Sequence, residues 1–167
     1  MEEGKSTESY EKYKDMLYRI AFSNMKNHAD AQDAVQEAFV RYLRWDGEFT
    51  ETEHEKAWFI RTVINICRDM QKSAWNKRVT TVEEWPDAEM GHFILPYGIE
   101  DDMVWRIMEL PDKYRNPMYL FYYEDYSIRE IAGSLEQREA TVKTHLRRGR
   151  EMLKQQIEQE RNGMVKK

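Results

Sequence analysis

The chain has 167 residues, room for one ordinary domain or two small ones. With 41% hydrophobic and 34% charged residues it reads as a globular chain with a modest core, and no run approaches the roughly 18 apolar residues a membrane helix needs. The polar N-terminus MEEGKSTESYEKYK excludes a signal peptide, and the single cysteine, Cys67, excludes an internal disulfide or a Cys-rich zinc site, so a cytoplasmic protein is expected.

Nearly every segment has helical periodicity. Residues 10–26 place Tyr10, Tyr13, Met16/Leu17, Ile20/Ala21 and Asn24 on one stripe, widened by Phe22 and Met25. Asp30 is the expected N-cap of a second helix running to about Trp45. Its apolar face is Ala31, Ala34/Val35, Ala38/Phe39 and Tyr42/Leu43, and its polar face is Gln32, Asp33, Gln36, Glu37, Arg41 and Arg44. Asp46-Gly47 breaks it.

Thr52-Glu53-His54-Glu55 has the form of a capping box and opens a third helix, to about Trp75. Phe59, Val63, Ile66 and Met70 form one buried row there, and Ile60, Ile64 and Cys67 the next. Arg61, Asn65, Arg68 and Lys72 follow at steps of four, three and four and share the exposed face. Trp58 sits on a mostly apolar face and reads as core rather than as a base-stacking ring, and Cys67 reads as a buried, inert thiol.

Residues 79–101 lose periodicity and contain Pro86, Gly91, Pro96 and Gly98, so a linker is expected. Helices resume with a short one at 103–110. Pro111 suits the first turn of the next, and Pro117 should bend it. Ile128, Ile131/Ala132 and Leu135 make a short amphipathic helix, and residues 136–138 are a brief break. Val142, Leu146, Gly149 and Leu153 make the buried face of a last helix, whose tail after Gln155 is expected to fray. Two helices joined by so short a turn form a helix-turn-helix or a plain helical hairpin.

Charge is unevenly spread. The net charge is −5, yet residues 56–82 hold six bases against one acid, and residues 138–154 six bases against two acids; residues 83–102 hold seven acids and no base. Affinity for nucleic acid follows the local bases that reach phosphates, so two basic patches flanking an acidic stretch remain compatible with DNA binding, although either could be an ordinary solvated face. The last helix exposes Lys143, Thr144, Arg147 and Arg148, with His145 at the edge; these are side chains able to hold phosphates or read base edges.

The stretch LPDKYRNPMYLFYYEDYSIREIAGSLEQREATVKTHLRRGREMLK resembles region 4 of bacterial sigma factors of the extracytoplasmic-function group, through Leu110-Pro111, Tyr126-Ser127, Glu130-Ile131-Ala132, Leu135, Thr141-Val142-Lys143, Leu146 and Arg148-Gly149-Arg150. DAQDAVQEAF, with Asp33, Val35-Gln36-Glu37 and Phe39, resembles region 2, and Trp58, Asn65, Arg68 and Asp69 resemble its following helix. The resemblance covers most of residues 10–157. It implies an all-α fold of two small domains: residues 1–78 as region 2, 79–101 as an acidic linker, and 102–160 as region 4 with the helix-turn-helix.

It also implies an alternative sigma factor that binds core RNA polymerase and promoter DNA and directs promoter-specific initiation. An anti-sigma protein, often membrane-anchored, is the further partner implied. Asp33, Gln36, Glu37 and Arg41 are then the residues for core polymerase. Arg61, Asn65, Arg68 and Lys72, with the loop at 47–55, serve the −10 element, and Lys143, Thr144, His145, Arg147 and Arg148 serve the −35 element. One departure stands in the turn, where the family usually has Gly and then an apolar residue. Here Glu136 and Gln137 occupy those positions, and a left-handed Glu costs roughly 1 kcal/mol, which leaves the docking angle of the last helix open.

No phosphate-binding glycine loop, nucleophile motif or zinc-ligand pattern occurs, and the four histidines form no pair at ligand spacing. No enzyme activity, cofactor, metal or small-molecule substrate is expected. A one-component helix-turn-helix regulator would explain the C-terminal motif but not the N-terminal one. A helical adaptor acting through protein contacts alone would explain neither basic patch.

Overall fold

The computed structural model describes residues 2–45, 47–49, 51–77 and 102–165. The expected linker lies outside them. Every regular element among the described residues is an α-helix: α1 (Glu2–Met25), α2 (His28–Arg44), α3 (Thr52–Lys77), α4 (Asp102–Met108), α5 (Asp112–Tyr123), α6 (Ile128–Leu135) and α7 (Glu139–Val165). The chain divides into two compact units, Met1–Glu100 and Asp101–Lys167.

In the first unit α1, α2 and α3 pack pairwise on one another. Leu17, Ile20 and Ala21 of α1, Ala31, Ala34 and Ala38 of α2, and Phe59, Ile60, Val63 and Ile64 of α3 are buried. Small alanines facing large aliphatics let α2 lie close against its neighbours. Cys67 is a free, buried thiol, as the periodicity requires.

Two caps differ from the sequence reading. The N-cap of α2 is Asn27, whose side chain accepts from the Asp30 N–H at 2.9 Å, while Lys26 turns the chain with φ of 55°. Asp30 therefore supplies the capped amide and a first-turn negative charge rather than the cap itself. At α3 the helix already includes Thr52, and the Glu51 carbonyl accepts from the His54 and Glu55 amides at 3.1 and 3.3 Å. Glu55 is drawn away from a capping box because three hydroxyls of α1 and α2 bond its carboxylate.

In the second unit α5 and α7 pack together, α6 packs on both, and α4 covers α5. Pro111 is the N-cap residue of α5, one place before the first turn, and its carbonyl accepts from Tyr114 and Arg115, each at 2.9 Å. Pro117 lies inside α5, which continues to Tyr123; the run Tyr114–Leu120 is buried throughout, and that burial offsets the missing backbone donor. Gly149 lets α7 approach α5: a Cβ there would lie 2.9 Å from Met118 Cγ.

α6 has a complete capping box: Ser127 Oγ accepts from the Glu130 amide at 3.0 Å, and the Glu130 carboxylate accepts from the Ser127 amide at 2.9 Å. Glu136 ends the helix in the left-handed conformation (φ 56°, ψ 47°), and the Gln137 N–H closes back on the Ala132 carbonyl at 2.9 Å. That six-residue closure is the bond a glycine-ended helix makes, so the turn keeps its shape despite the glutamate.

The tail does not fray after Gln155. Arg106 of α4 makes a two-pronged ion pair with Glu160, one N···O distance being 2.9 Å, and Ile157 joins Met103, Ile107, Met118 and Leu153 around a groove of about 690 Å³.

Candidate functional site

Three surfaces carry the candidate residues, two on the first unit and one on the second. The outer face of α2 is fixed by its alanine-rich inner face. Asp33, Gln36 and Arg41 are exposed and Glu37 is half-buried. Arg41 Nε pairs with the Glu37 carboxylate at 3.2 Å, one helical turn apart. An exposed pair of this kind adds only tenths of a kcal/mol to stability, so both side chains can exchange it for an outside partner at little cost. Two apolar residues border the pair: Val40 is 36% exposed and Leu43 is 64% exposed. The apolar stripe predicts Leu43 inside beside Tyr42; instead the Tyr42 ring packs on Phe59, with centroids 4.8 Å apart, and the leucine lies outside. An uncovered leucine beside a charged pair was legible in the sequence only as one more member of the apolar stripe.

The second surface is the α3 stripe with the loop before it. Asn65, Arg68 and Lys72 are exposed, whereas Arg61 is half-buried and its Nε lies beneath the surface. Asn65 presents both donors and an acceptor to solvent, and the flanking bases supply positive charge on the same face. The preceding loop is packed by aromatic rings. Trp45 and Phe49 stack with centroids 4.3 Å apart, Phe49 lies parallel to Tyr42 at 6.5 Å, and Trp58 closes the group at 6.0 Å from Tyr42 and 5.2 Å from Phe59. Trp58 is half-buried, closer to the core reading than to a free stacking platform, while Trp45 is 38% exposed. The loop's aromatic pair escaped the sequence reading, because a tryptophan and a phenylalanine on either side of a helix break show no periodicity.

The third surface is the outer face of α7. Val142, Leu146, Gly149 and Leu153 are buried against α5 and α6, which leaves Lys143, Arg147 and Arg148 exposed. Arg147 reaches Glu151 at 3.7 Å, a loose exposed contact that holds neither residue. Thr144 is half-buried and its hydroxyl donates to the Ala140 carbonyl at 3.1 Å, which leaves its oxygen with acceptor capacity only. Arg150 crosses to α5 and donates to the Tyr122 hydroxyl at 3.2 Å.

His145 turns toward α5. Its ring meets Tyr114 edge to face at 5.7 Å and its Nδ1 is buried. Burial first, then the positive charges of Lys113 and Arg148, hold its pKa below the ordinary histidine value. These disfavour its charged form, and the ring packs on the inner edge of this surface more than it joins the row of bases. Among the described residues, no three or more His, Cys, Asp or Glu side chains gather as a metal site would require, and no helix is long and apolar enough to cross a membrane.

Comparison with known proteins places these surfaces within two family descriptions. "Sigma-70 region 2" matches residues 9–77, which hold the first two surfaces, and "Sigma-70, region 4" matches residues 106–153, which hold the third. The chain is 32% identical over 165 residues to the ECF RNA polymerase sigma factor SigW of Bacillus subtilis (strain 168), covering 87% of this chain and 84% of that one. It is 29% identical over 151 residues to the RNA polymerase sigma factor SigV of the same organism, covering 89% and 88%. It is 30% identical over 145 residues to the RNA polymerase sigma-E factor of Streptomyces avermitilis, covering 86% and 80%. A solved structure described as CnrH in complex with the cytosolic domain of CnrY shares the fold, with a TM-score of 0.63 at 19% identity over 92% of this chain and 87% of that one.

Proposed function

The chain belongs to the extracytoplasmic-function sigma factors of the sigma-70 family, and from that premise we propose how its three surfaces divide the work of initiation. As a sigma factor it binds core RNA polymerase and directs promoter-specific transcription initiation. It acts by binding and positioning, with no catalytic step of its own. The observation that carries this function is the presence of region 2 and region 4, in that order, on one chain. A one-component regulator would need only the second, and an adaptor neither.

The α2 face is the polymerase surface, with Asp33, Gln36, Glu37 and Arg41 as its polar contacts; the exposed Val40 and Leu43 support this reading by adding apolar area beside them. The α3 stripe of Arg61, Asn65, Arg68 and Lys72 and the loop before it take the −10 strand once it is unpaired. Asn65 hydrogen-bonds a base edge, and the bases hold the backbone. α7 lies in the major groove of the −35 element, with Lys143, Thr144, Arg147 and Arg148 facing the DNA and His145 supporting the helix from beneath. Residues 1–78 and 102–160 are the two working domains and 79–101 joins them. The chain works in the cytoplasm, where its polymerase is. The solved neighbour is in complex with the cytosolic domain of another protein, and this supports an anti-sigma partner here.

Run-off transcription on genomic fragments, with core enzyme alone and with this protein added, tests the function. Discrete new transcripts only in its presence are expected. Specific gel shifts without polymerase, together with no new transcript, would replace the sigma reading by a one-component regulator.

A further inference from the structure

Glu55 stands where α1, α2 and α3 meet. Tyr13 Oη of α1 donates to one carboxylate oxygen at 3.1 Å, and Tyr42 Oη of α2 donates to the other at 2.7 Å. Ser9 Oγ of α1 lies 3.4 Å from that second oxygen and 3.2 Å from Tyr42 Oη. A carboxylate accepts and does not donate, so the hydroxyls around it must aim their protons at it, and a hydrogen bond to a charged acceptor is of the stronger kind. Burial and the neighbouring carboxylate both raise the pKa of Tyr13 and Tyr42, which keeps the two phenols protonated as donors.

The contacts continue from Tyr42 into the loop. Its ring lies parallel to Phe49, within 6° at 6.5 Å, and Phe49 carries the stacked indole of Trp45 at 4.3 Å. Gly47 lies so close to that indole that a Cβ would come within 2.2 Å of it. The bond to Glu55 is the shorter of the two that hold the Tyr42 hydroxyl, and the Tyr42 ring in turn borders the loop's aromatic pair together with Trp58. Tyr13, bonded to the same carboxylate, packs instead on Phe59 in the core, at 5.2 Å.

We propose that Glu55, acting through the Tyr42 hydroxyl, is a positioning residue that sets the conformation of the Trp45–Phe49 loop and thereby which unpaired −10 sequences the protein accepts. The inference rests on the reading of this loop and α3 as the −10 surface. It differs from a merely cohesive role in one respect: loss of cohesion lowers output from every promoter alike, whereas a shifted loop reorders promoters.

The test is transcription by full-length protein and core enzyme from a library of −10 variants, with a −35 library beside it. Tyr42→Phe keeps the ring and loses only the hydroxyl. It should change the ratio between favoured and disfavoured −10 sequences about fivefold, the scale of one hydrogen bond of ordinary net strength. Core affinity and −35 ranking should stay unchanged. Glu55→Ala should produce the same reordering, and the double variant no more than either single one. Tyr13→Phe, which removes a donor to the same carboxylate away from the loop, should lower thermal stability without reordering. Phe49→Ala reports on the underlying reading. If it reorders the −10 library while Tyr42→Phe and Glu55→Ala do not, the positioning role is overturned and the loop remains a reader. If Phe49→Ala reorders nothing, the loop is no reader and the inference falls with that reading. Equal reordering by Tyr13→Phe and Tyr42→Phe would also overturn it, since general cohesion would then be enough.

Discussion

His145 shows how a single side chain changes meaning once its neighbours are known. In the sequence it stands among bases and counts as one of them, but in the fold it lies edge-on to Tyr114 with its Nδ1 buried. Burial, Lys113 and Arg148 lower its pKa, so the unfolded chain takes up this proton more readily than the folded one. Acid therefore favours unfolding: this residue costs the fold nothing above the ordinary value of 6.5 and erodes its stability as the pH falls below it. The thermal midpoint of the wild type should fall relative to that of His145→Gln as the pH is lowered through this value, and parallel midpoints would show that the ring is solvated. Glu37 is the opposite case, a charge that stays where the sequence put it. Its exposed pair with Arg41 is worth tenths of a kcal/mol, so Glu37→Lys should leave helical content intact while weakening core polymerase binding about tenfold or more. A pull-down with core enzyme that finds unchanged affinity would remove this face from the polymerase interface.

The two helices of the terminal motif show what a turn decides. Glu136 adopts φ of 56° and closes α6 with the bonds a glycine would make. The conformation costs a glutamate roughly 1 kcal/mol, so Glu136→Gly should raise stability by about 0.5–1 kcal/mol in thermal or denaturant unfolding, and a β-branched residue there should lower it. Promoter preference should not change, because the turn already has its shape. Preference belongs to α7. Its buried row fixes which side chains face outward, and Lys143 and Arg147, one turn apart and both exposed, should include at least one reader of a base edge. Loss of a base contact costs about 1–3 kcal/mol at one position of the site, whereas loss of a phosphate contact weakens all sites alike and lowers the salt slope by about one. Transcription from a −35 library by Lys143→Ala and Arg147→Ala separates the two. If both keep the wild-type ranking, α7 anchors without specifying.

On the scale of the molecule, the two units each bury their own core, and the −10 and −35 candidates fall one in each. Side chains that share no partner act independently on free energy. Asn65→Ala and Arg147→Ala should therefore multiply in their effects on promoter output. Asn65→Ala should lower open-complex formation, read by permanganate reactivity of the melted strand, more than core binding. A double variant no worse than the poorer single one would mean that the two surfaces act through one shared step.

Among the described residues, periodicity by itself determined the amphipathic helices, the buried row of α7 and that of α3 as far as Ile66, with Met70 left half-buried, and the outward direction of Asn65, Arg68, Lys143 and Arg147, because an amphipathic helix of known phase has one way to bury its apolar stripe. The family entered through resemblance, carried by the residues of the two motifs in their order along the chain. Only tertiary structure decided the rest, wherever a side chain had two local uses and a neighbour from another helix chose between them. Glu55 fits a capping box until the hydroxyls of Ser9, Tyr13 and Tyr42 converge on it. Leu43 belongs to the apolar stripe until the Tyr42 ring packs on Phe59 and the leucine is left outside. The tail after Gln155 is too polar to fold alone, and it becomes helix because Arg106 and the apolar side chains of α4 lie beside it. Local sequence sets what a residue can do, and the partners that arrive from far along the chain select which of those uses has the lowest free energy.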